Sequence, residues 1–246
     1  MYPKTLPEAK AIFAAEKKRV KNIRRAKTVI CPPHVFIHPL ISALGKGAKG
    51  ISVGAQNAFY EDEGARTGET SPKALYSLGA THVIIGHSER RALGETNAVI
   101  AQKLSRVAAN KLTAILCVGE HSRDEGGAYF KEVSEQLRHS LAGFPRTETK
   151  RLVIAYEPIW AIGAKALRPA TPADFHEMSI LIRRHVVEQF GKAAGFKVPI
   201  IYGGSVDERN ASGFLQEGEA DGLLVGRVSL SPEQFGAIIH IAEHIK

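Results

Sequence analysis

Short, nearly uninterrupted apolar runs alternate with longer amphipathic stretches along this 246-residue sequence, and that alternation leaves few folds open. The runs occupy residues 28–31, 50–53, 82–85, 113–118, 152–155, 199–202 and 222–225. Each lacks the polar alternation of a half-exposed strand, which marks parallel strands covered on both faces. Helical spacing of apolar residues recurs between them, for example at 97–109, 128–141, 172–190 and 231–245. Such a β-α repeat builds either a doubly wound sheet or a closed (β/α)₈ barrel. The length suits one barrel spanning residues 1–246, and no low-complexity linker or short-period repeat divides the chain. Seven strands are found where a closed barrel has eight, because the sequence opens directly on a helical pattern at 6–20.

Hydrophobic residues at 44% and charged residues at 24% are enough to build a large core. No apolar run approaches the ~18–20 residues that span a bilayer. The first residues lack the apolar segment of a secretion signal, so a cytoplasmic protein is expected. Cys31 and Cys117 lie far apart and suit a reducing compartment better than a disulfide framework.

The formal charge of +8 favours anionic partners. Much of the excess sits in Lys17, Lys18, Arg19, Lys21, Arg24, Arg25 and Lys27. That run reads as the solvated C-terminal end of a helix, where cations complement the dipole. No aromatic side chain interleaves it, as a base-stacking surface requires. Neither nucleic acid nor membrane is therefore expected as a partner.

Two patterns mimic familiar sites. Gly45, Gly47 and Gly50 match the dinucleotide spacing G-x-G-x-x-G, but they close a helix and lead into a strand, the reverse of what that fingerprint requires. Cys31, His34 and His38 have the spacing of a partial metal site without the further ligands zinc wants. Pro32 and Pro33 are expected to break the segment, so the side chains should not share a helical face. No metal is expected, and Cys117 reads as a small core residue.

The residues that carry chemistry follow strands. Glu157 comes just after the run 152–155, at the end of a strand where barrels place their active sites. Bordered by Ile159 and Trp160, its carboxylate is expected to be desolvated and to act as a base. His87 follows Val83-Ile84-Ile85-Gly86 in the same structural place, with Ser88 and Glu89 as first-turn residues of a helix. A helix N-terminus beside the imidazole disfavours its protonated form, and a neutral imidazole can polarise a carbonyl. Gly203-Gly204-Ser205-Val206 and Gly226-Arg227 follow two consecutive late strands, where backbone N–H groups can cradle an anion. A base, a neutral electrophile and a phosphate grip on one face fit proton abstraction beside a carbonyl in a small phosphorylated substrate. That chemistry needs no metal or organic cofactor.

Several segments together resemble the triosephosphate isomerase family. Ala155-Tyr156-Glu157-Pro158-Ile159-Trp160-Ala161-Ile162-Gly163 resembles its catalytic-glutamate and lid segment, and Ile85-Gly86-His87-Ser88-Glu89-Arg90-Arg91 its histidine segment. Cys117-Val118-Gly119-Glu120, Tyr202-Gly203-Gly204-Ser205-Val206 and Asp221-Gly222-Leu223-Leu224-Val225-Gly226 follow in the family order. The resemblance implies a (β/α)₈ barrel that interconverts dihydroxyacetone phosphate and D-glyceraldehyde 3-phosphate. It assigns the proton shuttle to Glu157, carbonyl polarisation to His87 and phosphate contacts to backbone N–H groups of Gly163, Ser205, Gly226 and Arg227. Residues 160–170 would form the lid, and the loop 56–69 would enter a second copy to make a homodimer.

Some positions depart from the family pattern. The family's first strand ends in an Asn-x-Lys segment, and Met1 aligns just after that lysine. The expected explanation is an internal start within a longer protein; the alternative is a catalytically impaired or silent barrel acting as scaffold or dimer partner. The lid is about two residues longer than usual. Arg227 replaces a glycine and is expected to be solvated, and Arg66 stands at a usually aromatic position of the dimer loop.

Overall fold

The computed structural model describes residues 3–45, 48–163, 166 and 168–245. Among the described residues six parallel strands form the wall: β1 (Thr28–Ile30), β2 (Ile51–Val53), β3 (His82–Ile85), β4 (Thr113–Val118), β5 (Leu152–Tyr156) and β6 (Ile200–Tyr202). β1 pairs with β2, and β3 through β6 pair in sequence order. A bridge from Ala55 to Val83 joins the two ladders. Neighbours in sequence are neighbours in space, as right-handed β-α-β crossovers dictate.

The expected seventh strand at 222–225 appears only as a bridge between Tyr202 and Leu223. Tyr202 N–H donates to the Gly222 carbonyl and Leu224 N–H to the Tyr202 carbonyl, so the segment has the strand direction. Among the described residues no hydrogen bond joins its other edge to β1, and one paired edge is too little for a ladder.

The helices cover the outside. They are α1 (Leu6–Arg19), α2 (His34–Leu44), α3 (Pro72–Leu78), α4 (Ser88–Ala92), α5 (Asn97–Ala109), α6 (Ala128–Ser140), α7 (Pro172–Phe190), α8 (Lys192–Gly195), α9 (Ala211–Gln216) and α10 (Pro232–His244). Their starts follow local chemistry. Thr5, Ser71, Thr96, Thr171 and Ser231 each accept a backbone N–H three residues on, which satisfies one of the orphan donors of a first turn. At α7 this becomes a reciprocal capping box between Thr171 and Asp174.

α2 corrects the reading of Pro32 and Pro33 as a break. Pro33 is the N-cap of that helix, so His34 and His38 stand four residues apart on it. Proline is tolerated before a first turn because the missing N–H is unpaired there anyway. No metal-binding cluster results among the described residues. His34 Nε2 instead contacts the Asn57 carbonyl at 2.8 Å, and burial pushes the Cys31 thiol up to about 12. Gly45 closes α2 with φ +72°, as an αβ turn requires; Gly47 lies outside the described residues.

One continuous apolar core runs from Phe13 of α1 through β2–β6 to Ile239 of α10. A smaller cluster, Ile115, Cys117 and Ala155, fills the barrel between strands.

Candidate active site

β3 and β5 end on the same face of the barrel and bring their following residues together. Glu157 directly follows β5, and its N–H donates to the Val118 carbonyl, which continues the ladder one residue past the strand. The residue is only 2% exposed. Its Oε1 lies 2.9 Å from Nε2 of His87, and its Oε2 accepts the Ser88 N–H at 2.9 Å. The Cys117 side chain also contacts this carboxylate, and burial holds its thiol well above the usual range.

His87 is the N-cap of the short helix α4, where its Nδ1 accepts the Glu89 N–H at 3.2 Å. A nitrogen that accepts cannot carry the proton, so the neutral ring bears its hydrogen on Nε2. Burial pulls the ring's pKa down, yet the Glu157 hydrogen bond and charge, with Glu89 behind them, leave it raised above the ordinary value. The helix terminus therefore selects the tautomer, while in the resting site the carboxylate opposes the expected loss of basicity.

Three supports receive no role from the sequence, although Arg91 and Glu120 stand within segments that resemble the family. Arg91 ties the histidine turn to β4 by donating to the carbonyls of Gly86 at 2.8 Å and Cys117 at 3.2 Å. Gln136 of α6 holds both the N–H and the carbonyl of Gly119. A Cβ on Gly119 would stand 1.8 Å from the Glu157 carbonyl oxygen, so only glycine fits there. Buried Glu120 accepts from Tyr156 Oη and Trp160 Nε1, both at 2.7 Å. A single Glu, Gln or Arg has no local pattern that announces such contacts.

Trp160, the expected start of the lid, is anchored. It is 5% exposed in a 3₁₀ turn, Ile159–Ala161, and the Arg168 guanidinium lies 4.6 Å from its ring centre. Arg168 also forks onto Asp174 at 2.7 and 2.9 Å. Residues 164, 165 and 167 of the lid segment lie outside the described residues.

The two turns expected to cradle an anion follow the next strand end and the Leu223 segment. Gly203 N–H is used by the Tyr156 carbonyl, which places Gly204 and Ser205 just beyond the sheet. A Cβ on Gly203 would lie 3.1 Å from Glu157 Cγ, so this turn abuts the carboxylate. Ser205 Oγ donates to the Ala161 carbonyl at 3.2 Å and links the cradle to the Trp160 turn. The N–H groups of Gly163, Gly204, Ser205, Gly226 and Arg227 have no acceptor among the described residues. Arg227 is exposed and forms no ion pair with a described residue.

The site thus joins a buried carboxylate, an imidazole with Nε2–H aimed at it, and free N–H groups one strand away. A model of the triosephosphate isomerase family matches residues 1–242. The chain belongs to the triosephosphate isomerase family. It is 39% identical over 238 residues to the triosephosphate isomerase of Trichlorobacter lovleyi (strain ATCC BAA-1151 / DSM 17278 / SZ), covering 96% of this chain and 93% of that protein. Of the two folds that strand–helix alternation left open, the α/β barrel implied by the resemblance is accordingly the fold of this family member.

Proposed function

We propose that this chain interconverts dihydroxyacetone phosphate and D-glyceraldehyde 3-phosphate, with Glu157 as the base and His87 as the electrophile. The observation that carries the assignment of roles is the 2.9 Å contact between Glu157 Oε1 and His87 Nε2. Substrate entering the site replaces each residue as the other's partner. The Glu157 carboxylate removes a proton from the carbon beside the carbonyl, leaving an enediolate, and returns it to the neighbouring carbon. His87 donates its Nε2–H to the developing oxyanion and takes up the hydroxyl proton of the other enediol oxygen, so that carbonyl and hydroxyl exchange places; a fixed donor there is worth more than water because it needs no reorganisation. Ser88 N–H keeps the carboxylate aimed, and Glu89 N–H keeps the tautomer. The N–H groups of Gly163, Ser205, Gly226 and Arg227 hold the phosphate, supported by their lack of acceptors among the described residues.

One domain, residues 1–246, carries this activity, a reading supported by the continuous core. A cytoplasmic location fits the free thiols of Cys31 and Cys117. No helix among the described residues is long and apolar enough to cross a membrane. A homodimer through the loop 56–69 completes the reading. Lys103 supports it by linking that loop to the histidine turn: its ammonium pairs with buried Glu95 and donates to Asn57 Oδ1 at 2.9 Å. Arg66, in the same loop, pairs with Glu61 at 3.1 Å and stays half exposed.

A coupled assay with each triose phosphate, run beside size-exclusion chromatography, tests activity and dimerisation together. Isomerisation that survives unchanged in Glu157→Gln would sink the assignment of the base.

A further inference from the structure

The reaction uses the C-terminal ends of the strands, and the opposite end of the barrel carries a charge pattern that it does not need. Five of the six strands are entered through a lysine one to three residues ahead of them: Lys27, Lys49, Lys111, Lys150 and Lys197. Parallel strands put all five on one end. All are exposed, and none forms an ion pair with a described residue. Nearby acids are already engaged. Glu148 pairs with Arg151 at 3.0 Å, Asp221 with Arg183 at 3.3 Å, and Glu243 accepts the N–H groups of residues 24–26. Glu217 and Glu219 precede only the Leu223 segment, so the face is cationic at the entries to β1, β2, β4, β5 and β6 and acidic in one sector. Beside Lys197, Phe196 is 66% exposed.

We propose that this face docks onto an anionic lipid surface. The lysines come from five separate loops around the end of a barrel, which makes a disc of charge rather than a stripe or groove. A nucleic-acid backbone follows a line and would leave most of the disc unused. A charged plane meets all five at once, and an exposed phenylalanine among them can enter the headgroup layer. The basic run at 17–27, read alone, suggests only a solvated helix end. Folding adds four more loops to it, and the proposal replaces the expectation of no membrane partner. Docked this way, the face bearing Glu157 and His87 stays open to solution. The proposal does not depend on the isomerase assignment.

Co-sedimentation of the full chain with phosphatidylcholine vesicles, with and without about 30% phosphatidylserine, tests it. At least about tenfold more protein should pellet with the anionic vesicles near 0.1 M salt, and the difference should vanish near 1 M, where the Debye length falls to about 3 Å. The variant K27E/K111E/K150E/K197E should lose this binding while keeping its triose phosphate turnover, which controls for folding. If those reversals unfold the chain, the same four lysines changed to glutamine replace them in the comparison. In Phe196→Trp, emission should shift to the blue on anionic vesicles only, since the one native tryptophan is the buried Trp160. Equal binding to neutral vesicles, undiminished binding by a folded lysine variant, or retention of duplex DNA without vesicle binding would each overturn the proposal.

Discussion

Glu157 and His87 face each other across 2.9 Å, and the imidazole's other nitrogen is held by the Glu89 N–H at 3.2 Å. These two contacts divide the labour between the residues. The carboxylate accepts from His87 Nε2 and from Ser88 N–H, so it is oriented as an acceptor on both oxygens and ready to take a proton. A Glu157→Gln replacement keeps the shape and removes the base. Turnover should fall by about 10³-fold, within the range that general base catalysis supplies. KM should change little, because the N–H groups proposed to grip phosphate are untouched; steady-state kinetics on both triose phosphates measures the two effects.

His87 gives the site its acid limit. Its pKa is raised, because the Glu157 hydrogen bond and charge, with Glu89, together outweigh burial, the largest single influence. Below that raised value the ring turns cationic and pairs with Glu157, blocking the base. The kcat/KM profile of the free enzyme should therefore lose activity on the acid side, with a midpoint above the ordinary histidine value of about 6.5. The same shift has a stability consequence of definite sign. A histidine with a raised folded pKa stabilises most below its unfolded value, and the benefit disappears as pH rises through the folded value. Wild type should thus gain more over His87→Gln in thermal melts near pH 6 than near pH 9. A gap that widens towards alkaline pH would refute the pairing.

Parallel strands alternating with helices were legible because runs such as 113–118 and 82–85 are buried between layers and leave an unbroken apolar signature. The choice of a closed barrel over a doubly wound sheet came from the family resemblance. Glu157 and His87 were legible because polar residues just past such runs have one structural place to go. Long-range contacts were not. Arg91 reaches the Cys117 carbonyl across 26 residues, and Arg123 reaches Asp174 across 51, and no local pattern encodes either. The buried indole of Trp160 likewise depends on Glu120, 40 residues earlier. The run at 222–225 looks like its neighbours in sequence, yet a ladder needs partners on its edges, which apolar composition does not report.

Gly119 limits how the base can be mounted. The methyl of an alanine there would sit 1.8 Å from the Glu157 carbonyl oxygen and 2.6 Å from its carbon, both backbone atoms that cannot swing aside. Either β4 or β5 must move. Overpacking of this kind costs about 3 kcal/mol, which for a chain of this size lowers the melting temperature by roughly 10 °C. A shift of about 1 Å in Glu157 should also cut turnover by about 10²-fold. Gly119→Ala that melts and turns over like wild type would show that the strands absorb the methyl without displacing the base.

Glu16 is a buried carboxyl group that the site does not use. It lies on the inner face of α1 with Ala9 and Phe13, is 1% exposed, and neither carboxylate oxygen has a hydrogen-bond partner among the described residues. Burial raises its pKa from 4.5 to about 7, against the pull of Arg19 and with help from Glu233. A raised carboxylate means that the folded state holds the proton more tightly than the unfolded chain. Stability is then lost as pH climbs from 4.5 through 7, and the full cost is present above that. At about 1.4 kcal/mol per unit the shift would cost about 3 kcal/mol; the nearby charges of Arg19 and Glu233 reach solvent, so about 1–2 kcal/mol is the working figure. Glu16→Leu removes the charge and supplies an apolar side chain to a face that already packs on the core. It should melt about 5 °C above wild type at pH 8, with the advantage shrinking as pH falls towards 5. Melting curves across that range decide the matter: a Glu16→Leu chain less stable than wild type at pH 8 would mean that the carboxylate is held by a partner and is not an uncompensated buried charge.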